Sequence, residues 1–336
     1  MPLSTHEPDP PPQYNGMIFP GRSWHEELPE AQGFERDRLR EAVRFLDSCG
    51  SKDGARELVI VRNGYLVWRG SAADKMHGVW SCTKSFTSTT LGLLIDDGKC
   101  TLDTRVKDVL PAMADRYGDV TLRHLTTMTS GYRAVGDEPQ GSYIHGPSKT
   151  PFLPGFDPLF TPPGSAYAYW DSAMNQFANV LTRIAGEPLQ RLFSRRIAGP
   201  IGIDRARWHW ADFGQVDGFV VNGGSGNNNR YVFISALELA RFGHLFLNRG
   251  CWKDRQLISE QWVAAATSNQ VPLDLKLVGD EFDGRGVYGF NWWTNGLKPD
   301  GKRKWPGVPA GTFSASGHNN NDMFVIPEWK VVVVRL

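Results

Sequence analysis

Ser81-Cys82-Thr83-Lys84, the only SxxK tetrad in the sequence, is the clearest candidate for covalent chemistry. A serine hydroxyl is too weakly acidic to attack a carbonyl at neutral pH unaided, and an amine kept uncharged by burial can take its proton. Residues i and i+3 of a helix share a face, so a helix opening at the tetrad brings Lys84 Nζ beside Ser81 Oγ. The continuation, Ser85 to Ile95, lacks a polar face at helical period, as expected of a helix buried in a core. By itself the tetrad also admits a plainer reading, with Ser81 as a helix N-cap and Lys84 in solvent.

Other chemistry-bearing patterns fail on their context. Gly284-Arg-Gly286-Val-Tyr-Gly289 has the glycine spacing of a dinucleotide-binding turn, but a β-rich run follows where a helix is required. Gly296 to Lys302 has the spacing of a phosphate-binding loop, yet Arg303 replaces the Mg-binding hydroxyl, so it reads as an ordinary loop. The chain has no GxSxG elbow and no HExxH. Its 8 histidines are scattered, and Cys49, Cys82, Cys100 and Cys251 have no CxxC spacing. Neither a metal site nor a disulfide framework is therefore expected, and no cofactor.

The 37 basic and 36 acidic residues leave a net charge of +1, which supplies no footprint for nucleic acid or a charged membrane surface. No apolar run nears the ~20 residues that span a bilayer, and the Pro-rich start lacks the basic and apolar regions of a signal peptide. A cytoplasmic protein acting on a small molecule is the expectation.

With 336 residues there is about two domains' worth of chain to position such a site. Residues 1–30 read as a Pro-rich polar arm that either wraps over the surface or stays mobile. Helical spacing then covers 34–48, and two β-rich runs flank Asn63-Gly64, the strongest short hairpin signal. Between 80 and 270 the pattern is mainly helical, clearest at 91–95, 122–128, 173–185, 189–197 and 236–247. Strand signals return at Tyr288 to Trp293, Met323 to Ile326 and Lys330 to Arg335. The predicted fold is α+β: an antiparallel sheet built from both chain ends, 31–78 and 280–336, flanked by helices. The mainly helical part, 79–279, is inserted between them, and the site is expected in the cleft between the two parts.

Along about residues 30 to 336 the chain resembles the β-lactamase-related serine hydrolases, which include class C β-lactamases, D,D-peptidases, family VIII esterases and 6-aminohexanoate-dimer hydrolases. The resemblance rests on seven segments in order. They are the Arg62-Asn-Gly-Tyr-Leu hairpin, Trp80-Ser-Cys-Thr-Lys-Ser-Phe, Leu102 to Pro111, Val120 to Gly131, Pro163 to Asp171, Leu239 to Leu245, and Gly317 to Glu328. It implies that Ser81 is the nucleophile and Lys84 its partner. Tyr169-Trp170-Asp171 takes the place of the family's Tyr-x-Asn, which implies a hydrogen bond from Tyr169 to Ser81 Oγ. A nearby Lys84 would favour the phenolate of a tyrosine whose ordinary pKa is ~10. Which of Lys84 and Tyr169 takes the serine proton stays open, and Tyr167 is a competing candidate. Asp171 departs from the family's Asn, and is expected on the substrate side as an acceptor-only group.

Ala315-Ser316-Gly317 takes the place of Lys-Thr-Gly, with Ser316 and Gly317 against the substrate. The backbone N–H of His318 would then join that of Ser81 as an oxyanion hole. An alternative register puts His318-Asn319-Asn320 in that role, and the His318 side chain is either a base or a cap of the hairpin. Asn319 to Asn321 fits a hairpin turn. Relatives usually carry a helix after the last strand, whereas this sequence ends at Arg335-Leu336.

The function so implied is hydrolysis of a small ester or amide through an acyl-enzyme, by a carboxylesterase or a short-amide hydrolase of the 6-aminohexanoate-oligomer type. A β-lactamase or D,D-peptidase is the same-chemistry alternative. A catalytically silent binding or scaffold protein is the alternative of another class, motivated by Asp171 and Ala315. A carboxylate at 171 and no cation at 315 favour neutral or amine-bearing substrates over anionic ones.

Overall fold

The alternating residues of the β-rich runs explain the sheet. In the computed structural model, which describes residues 13–14, 16–49, 54–137, 150–279 and 282–336, β1 (Val59–Arg62) and β2 (Tyr65–Arg69) form a hairpin. Its turn residues Asn63 and Gly64 both have positive φ, 53° and 88°, the geometry that matches strand twist in a two-residue turn. A Cβ on Gly64 would lie 1.9 Å from the Ile18 carbonyl oxygen, so space as well as conformation requires glycine.

From the other chain end come β3 (Trp293–Thr294), β4 (Phe313–Gly317), β5 (Asn321–Ile326) and β6 (Val331–Arg335). The sheet order is β3-β4-β5-β6-β1-β2, antiparallel throughout. Val59, Val61, Val332 and Val334 point into the main core, while Ile60, Val67 and Val331 face a smaller cluster with Leu39 and Val43. Those last two lie on helix α1 (Arg36–Cys49), which covers the outer face of the sheet.

Helix α2 (Thr83–Asp96) is buried from Thr83 to Leu94, as its missing polar face predicts. Phe86 packs among Phe193, Trp210 and Phe242, and Gly92 leaves room for the Trp262 indole, 2.4 Å from where a Cβ would stand. The hydroxyls carried inside need acceptors. Thr87 donates to the Gly224 carbonyl at 3.0 Å and Ser85 to that of Asn291 at 2.8 Å. Around α2 lie α3 (Leu122–Thr126), α4 (Asp171–Ala185) and α5 (Ala236–Leu247). Helix α5 lies on the sheet at Gly243, where a Cβ would meet Val332 and Met323.

One expectation needs correction. Tyr288 to Trp293 is a turn and only Trp293–Thr294 is strand, because Asn291 takes a left-handed conformation at φ 59° and its Oδ1 accepts from Thr126 Oγ1 at 2.8 Å. The described part of the N-terminal arm packs onto the body of the fold. Met17, Ile18 and Phe19 are buried, Phe19 packs on His244 and Trp252, and Arg241 donates to the carbonyls of Gly21 and Arg22. Residues 1–12, where most of the proline lies, are outside the described residues. Among the described residues no helix is long and apolar enough to cross a membrane.

Candidate active site

Ser81 sits in a 3-10 turn, Trp80–Cys82, at the start of α2. Trp80 has φ 46°, a conformation that costs a bulky residue roughly 1–3 kcal/mol and persists only where its surroundings hold it. Its indole packs against Tyr231 and His318, at 5.3 and 5.1 Å between ring centroids. Cys82 ties the turn to the sheet, donating from Sγ to the carbonyls of Ala315 and Asn321. Ser81 is thereby held half-buried at the floor of a cleft of about 340 Å³, which Tyr169, Ser316, Gly317 and His318 also line.

One turn into the helix, Lys84 is 1% exposed, and its Nζ has three acceptors. They are Ser81 Oγ at 2.9 Å, Asp171 Oδ1 at 2.8 Å and the Ser225 carbonyl at 2.6 Å. Three acceptors match the three N–H donors of an ammonium. The plainer reading of the tetrad, with Lys84 in solvent, is excluded by this burial.

The same observation corrects the expectation for Asp171. Its carboxylate is 1% exposed and bound to Lys84; it does not line the cleft, and so is not a substrate-facing group. A buried lysine demands a partner, and the first residue of α4 supplies one. Asp171 is placed by its neighbours: Asp137 accepts from Trp170 Nε1 at 2.8 Å and from Ser172 Oγ at 2.6 Å, pinning the residues on either side.

Tyr169 lies over the lysine, with Lys84 Nζ 4.6 Å from its ring centroid, and its hydroxyl is hydrogen-bonded with Ser81. Burial, reinforced by the Asp171 charge, pushes the Tyr169 phenol well above its ordinary range, against the smaller effect of the Ser81 hydrogen bond. Tyr169 is therefore a neutral phenol at neutral pH, and the expected phenolate is corrected: burial first, and the Asp171 charge second, favour the protonated form. Tyr167 is fully buried against Gly284 and does not line the cleft.

On the opposite wall, β4 brings Ser316 and Gly317 beside Ser81, while Ala315 is buried in the core beneath. Asn319 and Asn320 both have positive φ, at the turn between β4 and β5. His318 is exposed at the rim of the cleft. A Cβ on Gly317 would stand 2.3 Å from the Val79 carbonyl oxygen and 3.1 Å from the Ser81 nitrogen, backbone atoms that cannot swing aside. Gly317→Ala is therefore expected to displace Ser81 and lower ester turnover at least tenfold while the protein stays folded. Parallel kinetics and thermal melts check this; unchanged turnover would show that the contact is dispensable.

Several site residues were not legible in the sequence. The Ser225 carbonyl is aimed by Asn175, whose Oδ1 accepts from the N–H groups of Gly224 and Ser225 at 3.1 and 3.3 Å. The run Gly223-Gly224-Ser225-Gly226 was its only signal. Phe282, Asp283, Trp293, Lys304, Trp305, Asp322 and Phe324 complete the cleft wall. Among the described residues no group of three His, Cys, Asp or Glu side chains is placed to hold a metal ion.

A serine hydrogen-bonded to a buried lysine and a tyrosine, at the edge of an antiparallel sheet built from both chain ends, defines the serine-hydrolase fold of the β-lactamase type. The chain belongs to the beta-lactamase family, whose model matches residues 53–336. It is 22% identical over 274 residues, 80% of this chain and 75% of the other, to the uncharacterized protein BpOF4_21049 of Alkalihalophilus pseudofirmus. Among solved structures it is similar to a Bacillus anthracis protein assigned as a 6-aminohexanoate-dimer hydrolase, with 19% identity, 96% of this chain and 82% of that one covered, and a TM-score of 0.63. It is also similar to EstCE1, a hydrolase with promiscuous acyltransferase activity, with 17% identity, coverage of 91% and 94%, and a TM-score of 0.66.

Proposed function

We propose that the protein hydrolyses a small ester or amide through an acyl-enzyme on Ser81. The observation that carries this reading is the placement of Lys84, whose donors go to Ser81, Asp171 and Ser225 at the floor of an open cleft. Ser81 Oγ attacks the carbonyl carbon. As its proton passes to Lys84, Lys84 yields one to Asp171, so the lysine stays an ammonium through the step. The backbone N–H groups of Ser81 and His318 meet the oxyanion, each such donor contributing about 3–4 kcal/mol in comparable sites. Collapse breaks the bond to the leaving alcohol or amine, which takes a proton from Tyr169, and Tyr169 is reprotonated through Lys84. Water then releases the acid and restores Ser81. These steps need no metal or cofactor group.

The similar structures named above are in keeping with this substrate range, one assigned as a 6-aminohexanoate-dimer hydrolase and one a hydrolase with promiscuous acyltransferase activity. A panel of p-nitrophenyl esters, short linear amides and nitrocefin tests it. Turnover of esters or amides with a burst of one equivalent of p-nitrophenol is expected. Nitrocefin exceeding every other substrate in kcat/KM would favour the lactamase reading, and no turnover of any of them would favour a silent scaffold.

A further inference from the structure

Lys304 is a cation in the cleft that the proposed chemistry does not use. It stands 3.9 Å from the Trp293 ring centroid and 5.6 Å from that of Trp305, on the wall shared with Ser81 and Tyr169. The loop presenting it is held by its own hydrogen bonds. The Lys304 N–H donates to the Gly296 carbonyl at 3.2 Å, and the Trp305 N–H to Asn295 Oδ1 at 2.7 Å. Asn295, fully buried, returns its amide protons to the carbonyls of Trp305, Val308 and Pro309.

Two carboxylates also line the cleft, and each feels an arginine as well as Lys304. Asp283 is paired with Arg285 at 2.8 Å. Asp322 lies opposite Arg335 in the sheet register and accepts from the Ser316 hydroxyl. Among the described residues no carboxylate or carbonyl takes a hydrogen bond from Lys304 Nζ. An indole face stabilises an ammonium without accepting its N–H groups in line, so these donors are available to a ligand.

We infer that Lys304 binds a carboxylate of the substrate, so that the cleft selects esters or amides carrying an anionic group on the acyl or leaving side. This rests on Ser81 as the nucleophile, and it reverses the charge preference expected from the sequence. That expectation needed Asp171 in the cleft, whereas its carboxylate is bound to Lys84. Burial holds the Lys304 pKa down to about 8, with Asp322 and Asp283 opposing the shift and Lys298 adding to it. Arg285 and Arg335 face the two carboxylates, and Tyr169 is neutral. Selection for an anion should therefore fade as pH rises through this range.

The test compares kcat/KM within two substrate pairs: p-nitrophenyl hydrogen adipate against its methyl ester, and 4-acetoxybenzoate against 4-acetoxybenzamide. At pH 7 the wild type should favour the anionic member of at least one pair by tenfold or more. Lys304→Met should lower that ratio at least tenfold, Lys304→Arg should keep most of it, and raising the pH to 9 should erode it in the wild type. A preference for the neutral member in both pairs, or a ratio that Lys304→Met and pH leave unmoved, would overturn the proposal. Fluorophosphonate labelling of Ser81 in the same samples separates the two claims. A labelled serine with an unmoved ratio removes only the role of Lys304, whereas an unlabelled wild type removes both. If Lys304→Met does not fold, Lys304→Arg and the wild-type pH series decide.

Discussion

Lys84→Met is expected to lower kcat by about 10²- to 10⁴-fold, the range for losing a positioned proton-transfer group, and Asp171→Ala to destabilise the fold by roughly 3–5 kcal/mol. The two side chains form a 2.8 Å pair with 1% exposure each. Removing the carboxylate leaves an ammonium in the core with only Ser81 Oγ and the Ser225 carbonyl as acceptors, and neither carries a counter-charge. Removing both charges abolishes that penalty. The double variant Lys84→Met/Asp171→Leu should therefore regain most of the stability lost in Asp171→Ala while remaining inactive. Urea melts and ester kinetics on the three proteins measure this. A double variant as unstable as Asp171→Ala would show that packing, and not charge, is what the pair provides.

Ser81→Ala is expected to cut hydrolysis by more than about a hundredfold, since the non-covalent residue of activity in such sites is far smaller. The fold should change little. The hydroxyl lies on a half-buried turn, and Lys84 keeps its two other acceptors when Ser81 Oγ is gone. One hydrogen bond contributes about 1 kcal/mol. Tyr169→Phe should also cost heavily, but combined with Lys84→Met it should cost about as much as the worse single change, because the two act on one proton path. Kinetics of the four proteins check this. Retention of more than a hundredth of wild-type kcat in Ser81→Ala would exclude it as nucleophile.

What could be read from residue types was local and periodic. The Asn63-Gly64 hairpin, the all-round burial of α2 and the span of α5 follow from patterns a few residues long. The sheet built from both chain ends followed from where the β-rich runs lie. Asp171 was recognisable as a departure, yet its direction was not, because it depends on where Lys84 needs an acceptor. A backbone carbonyl such as that of Ser225 has no residue-type signature. Lys304 lies in a loop without periodicity, and it is hydrogen bonds with Asn295 and Gly296, not a sequence pattern, that hold it at the cleft. Tyr288 to Trp293 has a strand's composition, but the side-chain bond of Asn291 stabilises a turn instead.

The central claim is that Ser81 becomes acylated, and mass spectrometry of the protein treated with a fluorophosphonate and, separately, quenched during ester turnover tests it most directly. The expected result is one adduct per chain, on the peptide containing Ser81, absent in Ser81→Ala. An unmodified protein, or an adduct that persists in Ser81→Ala, would contradict it.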